Sequence, residues 1–507
     1  MAKDWTTFPG SPGRPVAGVD LHLDLEPGEG LRQGLERALR SAVRAGVLAA
    51  GSRLPATRVL AAQLGISRGT VSAAYDQLIA EGYLEARHGS GTTVASVPGA
   101  AQRSTPRPTP PARYNLEAGI SDVTAFPVAE WLRSARRALG SAAPSAFGFN
   151  MDKRGRPELR AALADYLGRA RGVAASPERI VVTAGYVQAL TLLARTLGPG
   201  RIAMEDPGMP YHRELVAHAG NEVVPLRVDE LGADPASLVP GVVAAVLTPA
   251  HQFPSGTTLH PARRRALIEW ARDSGGVLIE DDYDGEFRYD RQPVGALQGT
   301  APEHVVYAGT AAKALAHGLR LGWIVLPERL VDPVVEELRL TTLETESINQ
   351  LILADLITTH GYDRQIRSVR VRYRRRRDLL IELLDRFPAL RASGVSAGLH
   401  VTVLLPDEGP SEAELVDLAA RRGLTFDTLG AARHRTGADS ADTADPDPGP
   451  CPGPRGLVIG YGAPSEAGYR QALGVLAEVL EAAYGAADQL SRKSRPQAVT
   501  NPARAVS

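Results

Sequence analysis

Residues 97–113 read Val97-Pro-Gly-Ala-Ala-Gln-Arg-Ser-Thr-Pro-Arg-Pro-Thr-Pro-Pro-Ala-Arg113, with five prolines and almost no large apolar side chain. Proline has no amide hydrogen to give a helix interior or an inner strand, so this stretch cannot cross a core. It is expected to form an extended spacer, ~3 Å per residue where it is polyproline-like. The 507-residue chain is thereby divided into about one hundred residues and about four hundred, and each part must bury its own core.

Charge and cysteine usage narrow the classes. The chain carries 57 Lys+Arg and 57 Asp+Glu, so it is no polycation and any nucleic-acid contact must be local. Cys451 is the single cysteine and lies in a Pro/Gly-rich loop. That excludes a disulfide framework and suits a reducing cytosol. No long uncharged apolar run is present and the N-terminus has no apolar core segment. Secretion and a membrane span are therefore not expected, and the cytoplasm is the expected location.

Residues 1–27 are rich in Pro and Gly and are expected to be loosely ordered. From Gly30 the pattern changes. Leu31, Leu35, Ala38, Leu39, Ala42 and Val43 recur at helical spacing and predict a helix to about Ala45. A second helix around Arg58–Leu64, a turn at Gly65 and a third helix from Arg68, capped by Ser67, come next. A hairpin with a Gly89-Ser90-Gly91 tip follows. Helix, helix-turn-helix and β-wing describe a winged helix-turn-helix. Residues 28–97 hold eight arginines against five acids, a net of +3, and Arg58, Arg68 and Arg87 fall at helix starts and the wing, where a duplex would lie.

Two stretches carry a resemblance: Arg53-Leu-Pro-Ala-Thr-Arg58, and Ser67-Arg68-Gly-Thr70 running through Tyr75 and Tyr83 to His88-Gly89-Ser-Gly. Residues 28–96 resemble the GntR-type DNA-binding domain. The resemblance implies that Arg58, Ser67, Arg68, Thr70, His88 and Gly89 face double-stranded operator DNA.

The large part alternates short apolar runs with helical stretches. Runs at Ile180–Thr183, Arg201–Met204, Val242–Leu247, Val277–Glu280, Val305–Tyr307 and Leu321–Leu326 read as strands; residues 188–197, 211–220 and 262–274 read as helices. That rhythm predicts an α/β fold with a mostly parallel sheet, whose ligands sit at the carboxyl ends of its strands. Residues 328–391 read as helical, with an arginine run at 372–377 expected on a solvated face. Residues 395–481 read as a smaller α+β part, interrupted by an Asp/Pro/Gly-rich insertion at 437–454 that is expected to be disordered, as is the tail at 488–507.

Chemistry-bearing residues cluster at the strand ends. Only four lysines occur, Lys3, Lys153, Lys313 and Lys493, so arginine serves wherever charge suffices. Lys313 lies in a small, apolar setting after a strand. An amine can lose its proton and condense with an aldehyde; a guanidinium cannot. Thr183-Ala-Gly185-Tyr186-Val187 opens a helix after a strand, where backbone amides bind phosphate. Thr248-Pro-Ala-His251-Gln252-Phe-Pro-Ser-Gly256 is a second polar strand end. Glu280-Asp281-Asp282-Tyr283-Asp284 is a third, and its acids alone leave metal binding, general acid–base work or a cation partner open. Arg320, seven residues after Lys313, offers a bidentate phosphate contact.

In this order, over residues 114–487, these stretches resemble the fold type I, aspartate aminotransferase-like enzymes that use pyridoxal 5′-phosphate (PLP). Joined to the GntR-like domain, they resemble the MocR/GabR group of transcriptional regulators. The resemblance implies an N-terminal winged helix-turn-helix, mostly α with a β-wing, joined to an α/β fold type I PLP domain with a smaller C-terminal α+β subdomain, and a homodimer. It implies Lys313 as the Schiff-base lysine, Asp281 on the pyridine nitrogen, Tyr283 on O3′ with His251 nearby, and Gly185, Tyr186, Val187, Thr310 and Arg320 around the phosphate. No metal is implied. The family pattern has departures here. Met209 stands where a stacking ring is usual, Phe149 where a partner tyrosine is usual, and Arg455 is the candidate for binding an effector's carboxylate only if its loop shifts. The expected function is a PLP-dependent DNA-binding regulator sensing an amine, an amino acid or PLP itself. The alternatives are a working aminotransferase with an accessory DNA-binding domain and a scaffold that has lost the cofactor.

Overall fold

The structure, a computed structural model, describes residues 30–44, 46–87, 91–95, 112–149, 151–289, 294–394, 396–434 and 453–493. The N-terminal segment 1–27, the linker through 111, His88, Gly89, the insertion at 437–452 with Cys451, and residues 494–507 lie outside the described residues. The chain divides into two compact units, Met1–Pro110 and Pro111–Ser507.

The first unit has helices α1 (Leu31–Arg44), α2 (Thr57–Leu64) and α3 (Arg68–Ala80), then strands β1 (Leu84–Arg87) and β2 (Gly91–Val94) paired antiparallel. Its core is one cluster in which Leu35, Leu39 and Val43 of α1 meet Leu60 of α2, Val71, Tyr75 and Leu78 of α3, and Leu84 and Val94 of the hairpin. These are the apolar positions whose spacing predicted the helices. Gly65 ends α2 at φ +65°, a left-handed conformation that glycine adopts without strain. Ser67 caps α3 by accepting a hydrogen bond from Thr70 N at 3.1 Å.

The second unit is built on an eight-stranded sheet. Its strands are β4 (Ile180–Thr183), β5 (Arg201–Asp206), β6 (Glu222–Asp229), β7 (Gly232–Ala233), β8 (Val242–Leu247), β9 (Val277–Asp281), β10 (Val305–Thr310) and β11 (Gly322–Val325), after a short β3 (Tyr114–Asn115) that lies elsewhere. The order is β4-β11-β10-β9-β8-β5-β6-β7. Neighbours β10, β9, β8, β5 and β6 run parallel, while β11 is antiparallel to both β10 and β4. The near-continuous burial of β4, β8, β9 and β10 is what a sheet covered on both faces requires. Strand β6 escaped the sequence reading. Its Glu-Val-Val-Pro-Leu-Arg-Val-Asp has charged residues at 222, 227 and 229 and contains Pro225. Such a strand is tolerated because only the two-residue β7 lies beyond it.

The smaller part adds the antiparallel sheet β12 (Arg391–Ser393), β13 (His400–Leu404), β16 (Gly456–Gly460) and β15 (Asp427–Thr428), in that order. It therefore begins before residue 395. The short β14 (Leu424–Thr425) pairs parallel with β3, so the start of the unit is sewn into its smaller part. Two expectations are corrected. The arginine run is not simply a solvated face: Arg376 is 0% exposed, and it bonds Asp122 at 2.8 Å and Glu466 at 3.2 Å. The last helix runs Glu466–Lys493, beyond the residue 488 at which order was expected to end.

Candidate functional site

In the second unit the carboxyl ends of β4, β5, β8, β9 and β10 form one edge of the sheet. There a cavity of about 280 Å³ opens. Because β11 runs antiparallel, its start lies at that same edge, and this delivers Arg320 and Leu321 to the cavity. Gly185, Tyr186, Val187, Met209, Asp281, Tyr283, Thr310, Lys313 and Arg320 all line it.

Gly185 sits at φ +99° and caps the helix Tyr186–Thr196. A Cβ on Gly322 would lie 2.8 Å from Gly185 Cα, so both positions need glycine for the chains to approach. Tyr186 and Val187, whose amides begin that helix and have no intrahelical acceptor, line the cavity. The Arg320 side chain has no partner among the described residues, and it stands 4.0 Å from where a Gly185 Cβ would be. Helix amides and an unpaired guanidinium together make an anion site. Thr310 Oγ1 accepts from Ala312 N at 3.2 Å and holds the turn that carries Lys313.

Lys313 Nζ donates to Gly119 O and lies 3.2 Å from His317 Nε2. Removal from water pushes its pKa down to about 8, against the pull of Asp281 and Asp284. Asp281 is 6% exposed, and burial raises its pKa well above the carboxylate range, although Lys313 opposes that. A buried carboxylate of this kind is stabilised by a cationic N–H partner. The buried Tyr186 hydroxyl makes no well-formed hydrogen bond, and burial, then the nearby Asp281 carboxylate, raise its pKa.

His251 does not line the cavity. It holds Tyr283, which does. Tyr283 Oη donates to His251 O at 3.1 Å, and His251 Nδ1 lies 2.9 Å from Asp284 Oδ2 and 3.2 Å from Tyr283 Oη. His251, Asp284 and His400 bring ligand-type atoms within 4.8 Å of one another. Gly398 packs directly against them, since a Cβ there would lie 2.0 Å from His251 Cε1 and 2.7 Å from Asp284 Oδ2. Within the trio only His251 and Asp284 bond each other; His400 Nε2 donates to Pro254 O at 3.0 Å, and its buried Nδ1 has no partner among the described residues.

Arg455 is not brought to the cavity. Its Nη2 donates to the carbonyls of Pro406 and Asp407. Phe149 is 77% exposed. In the first unit, Arg32 pairs with Glu36, Arg40 with Glu81, and Arg44 bonds Tyr83 Oη at 2.8 Å. Arg58 and Arg68 are exposed and have no side-chain partner among the described residues. Ser67 Oγ and Thr70 Oγ1 lie 2.8 Å apart at the start of α3.

Four residues that the sequence reading passed over also line the cavity. Glu205 ends β5; it accepts from Thr248 N at 3.2 Å and Gln252 Nε2 at 3.3 Å, and burial pushes its pKa up to about 7. His212 packs 4.9 Å from the Tyr186 ring, and burial, then the charges of Lys313 and Arg213, push its pKa down to about 4. Arg213 is occupied by the carbonyls of Gly208, Ala432 and Arg433. His317 lies one helical turn's spacing after Lys313, a signal that was legible. The arrangement can hold an anion at one end, a cationic ring nitrogen at the other and an aldehyde beside Lys313. PLP has those three features, and the residues present fit it.

Comparison with known proteins agrees. Residues 31–94 match the family "Bacterial regulatory proteins, gntR family" and residues 114–423 match "Aminotransferase class I and II". The chain is 33% identical over 473 residues to the HTH-type pyridoxine biosynthesis transcriptional regulator PdxR of Corynebacterium glutamicum, covering 92% of this chain and 99% of that one. It is 34% identical over 394 residues to the probable rhizopine catabolism regulatory protein MocR of Rhizobium meliloti, covering 72% and 79%. The structure of Pyrococcus horikoshii kynurenine aminotransferase superposes with a TM-score of 0.63 at 23% identity, covering 73% of this chain and 90% of that one, a likeness of fold. With a GntR-type helix-turn-helix unit and a fold type I aminotransferase-like unit in one chain, the protein belongs to the family of helix-turn-helix transcriptional regulators that includes PdxR and MocR.

Proposed function

We propose that the chain is a cytoplasmic, homodimeric regulator that binds operator DNA through its first unit, holds PLP through Lys313 of its second, and responds to PLP itself. The observation that carries the reading is the cavity that joins Lys313, Asp281 and Arg320. Bound there, PLP would supply an aldehyde for the lysine and a ring able to accept electrons. Arg320, Gly185, Tyr186, Val187 and Thr310 would hold its phosphate, and Asp281 its ring nitrogen. Tyr283, positioned by His251, would bond its ring oxygen, with Met209 alongside.

PLP is favoured over an amino acid because, among the described residues, no arginine of the cavity is left for an effector's carboxylate. Arg213 is occupied by carbonyls, Arg455 lies elsewhere and Arg320 serves the phosphate. The name of the Corynebacterium relative, a regulator of pyridoxine biosynthesis, supports the same choice. Exposed Phe147, Phe149 and Met151, at 53%, 77% and 89%, support a subunit that is covered in a dimer.

The test has two arms. Purified protein should show a visible absorption band that borohydride abolishes and Lys313→Ala lacks. Binding to the protein's own promoter region, followed by fluorescence anisotropy, should change on adding PLP and weaken about tenfold or more in Arg68→Ala at unchanged circular dichroism, as loss of one good contact implies. No band, or DNA affinity indifferent to both changes, overturns the reading. The second reading, a working aminotransferase, is motivated by the match to that enzyme family, and it requires steady turnover of an amino donor and a keto acceptor.

A further inference from the structure

We propose that His317 is a positioning residue for Lys313: its neutral imidazole, protonated on Nδ1, forms with the Gly119 carbonyl a berth that holds the lysine amine whenever that amine is not covalently engaged. The inference rests on the PLP reading above and deepens it, because a sensor of PLP has to let PLP go.

The tautomer follows from what surrounds the ring. Ser121, 1% exposed, has one hydroxyl hydrogen, and its Oγ lies 3.0 Å from the carbonyl of Ala312, which can only accept. With that hydrogen given to Ala312, Ser121 Oγ accepts from His317 Nδ1 at 3.1 Å. Nε2 is then left with its lone pair, 3.2 Å from Lys313 Nζ. The lysine end demands the same arrangement, since an ammonium can only donate. Partial removal from water, then the charge of Lys313, push the His317 pKa down to about 4 against the pull of the Gly119 carbonyl, so the ring is neutral and its partners decide which nitrogen accepts. The chain beyond Nδ1 ends at a carbonyl, so the imidazole orients the amine and does not conduct its proton away.

Capture of an aldehyde by Lys313 forms one C=N bond, expels one water and leaves the proton of the former ammonium in solvent. Release reverses each term. Every interaction made only by the free ammonium therefore favours release. Asp281 and Asp284 attract that ammonium from the end of β9 and the turn after it, while His212, on the helix Pro210–His218, stands neutral nearby. Gly119 O and His317 Nε2 are the acceptors in contact with it.

The experiment titrates full-length protein with PLP, reading visible absorbance from about pH 6 to about pH 9. His317→Leu should bind PLP about fivefold more tightly, the size of one lost hydrogen bond in the released form, with the midpoint of capture moved to lower pH. His317→Gln, whose amide oxygen replaces Nε2, should stay near wild type. Ser121→Ala, which frees the ring to turn, should move the same way as His317→Leu by less, and it carries the test should His317→Leu not fold. Unchanged or weaker binding in His317→Leu, or an unmoved midpoint in Ser121→Ala, overturns the berth and leaves the PLP reading standing. Absence of a band in wild type overturns both.

Discussion

Glu205 shows how much chemistry one position can carry without a motif to announce it. It ends an apolar strand, is 7% exposed and is bonded by Thr248 and Gln252. Its folded pKa, about 7, lies above the ordinary carboxylate value of 4.5, so the folded state binds the extra proton between the two. Its contribution to stability is full below about pH 4.5 and is lost as pH rises through about 7. Glu205→Gln removes that dependence. Urea unfolding of the two proteins across this window should show the variant gaining on wild type by up to about 3 kcal/mol as pH rises, then flattening above pH 7. A constant difference at every pH would mean that Glu205 is ionised throughout. Lys313, Asp281 and Arg320 were legible because each is the unusual choice for its surroundings. Glu205 and His212 were not, because their roles come from neighbours far apart in sequence, whereas His317 could have been found from its spacing of four residues after Lys313.

Elements turn such residues toward one another. The start of α3 is fixed by Ser67, whose Oγ accepts from Thr70 N, and this leaves the exposed Arg68 at the first turn. Ser67→Ala should cost the first unit about 1 kcal/mol, read from its thermal or urea transition. Its DNA affinity should fall as well, because α3 would fray at the end that carries Arg68. Loss of affinity with no loss of stability would show that Ser67 acts only on DNA. In the second unit the antiparallel run of β11 does comparable work. The turn between β10 and β11 brings Arg320 back to the edge that Lys313 has just left. The occurrence of short, continuous apolar runs revealed the central strands. That signal failed at β6, where Pro225 and the charged residues at 222, 227 and 229 are permitted by the near-empty edge beside it.

At the scale of the whole molecule, the second unit is held by charges taken out of water in pairs. Arg376 and Asp122 have fully buried side chains 2.8 Å apart, and Arg376 also reaches Glu466 and the carbonyls of Tyr461 and Gly462. This ties the beginning, middle and end of the unit together. Arg376→Ala would leave Asp122 buried with only Arg372 beside it, and should destabilise by about 3–5 kcal/mol, seen as a lowered melting temperature. A change under about 1 kcal/mol would show that Arg372 suffices. Sequence alone determined the two units, the helix-turn-helix and most of the singled-out residues that meet in the cavity, because linker composition, apolar period and rare residue types are local properties. Only the tertiary structure decided that Arg455 serves backbone carbonyls instead of the cavity, that Arg376 is a buried tie within an apparently solvated run, and that the Gly119 carbonyl meets Lys313. Those outcomes depend on which side chains meet across tens to hundreds of residues, and on which donors the fold has already used.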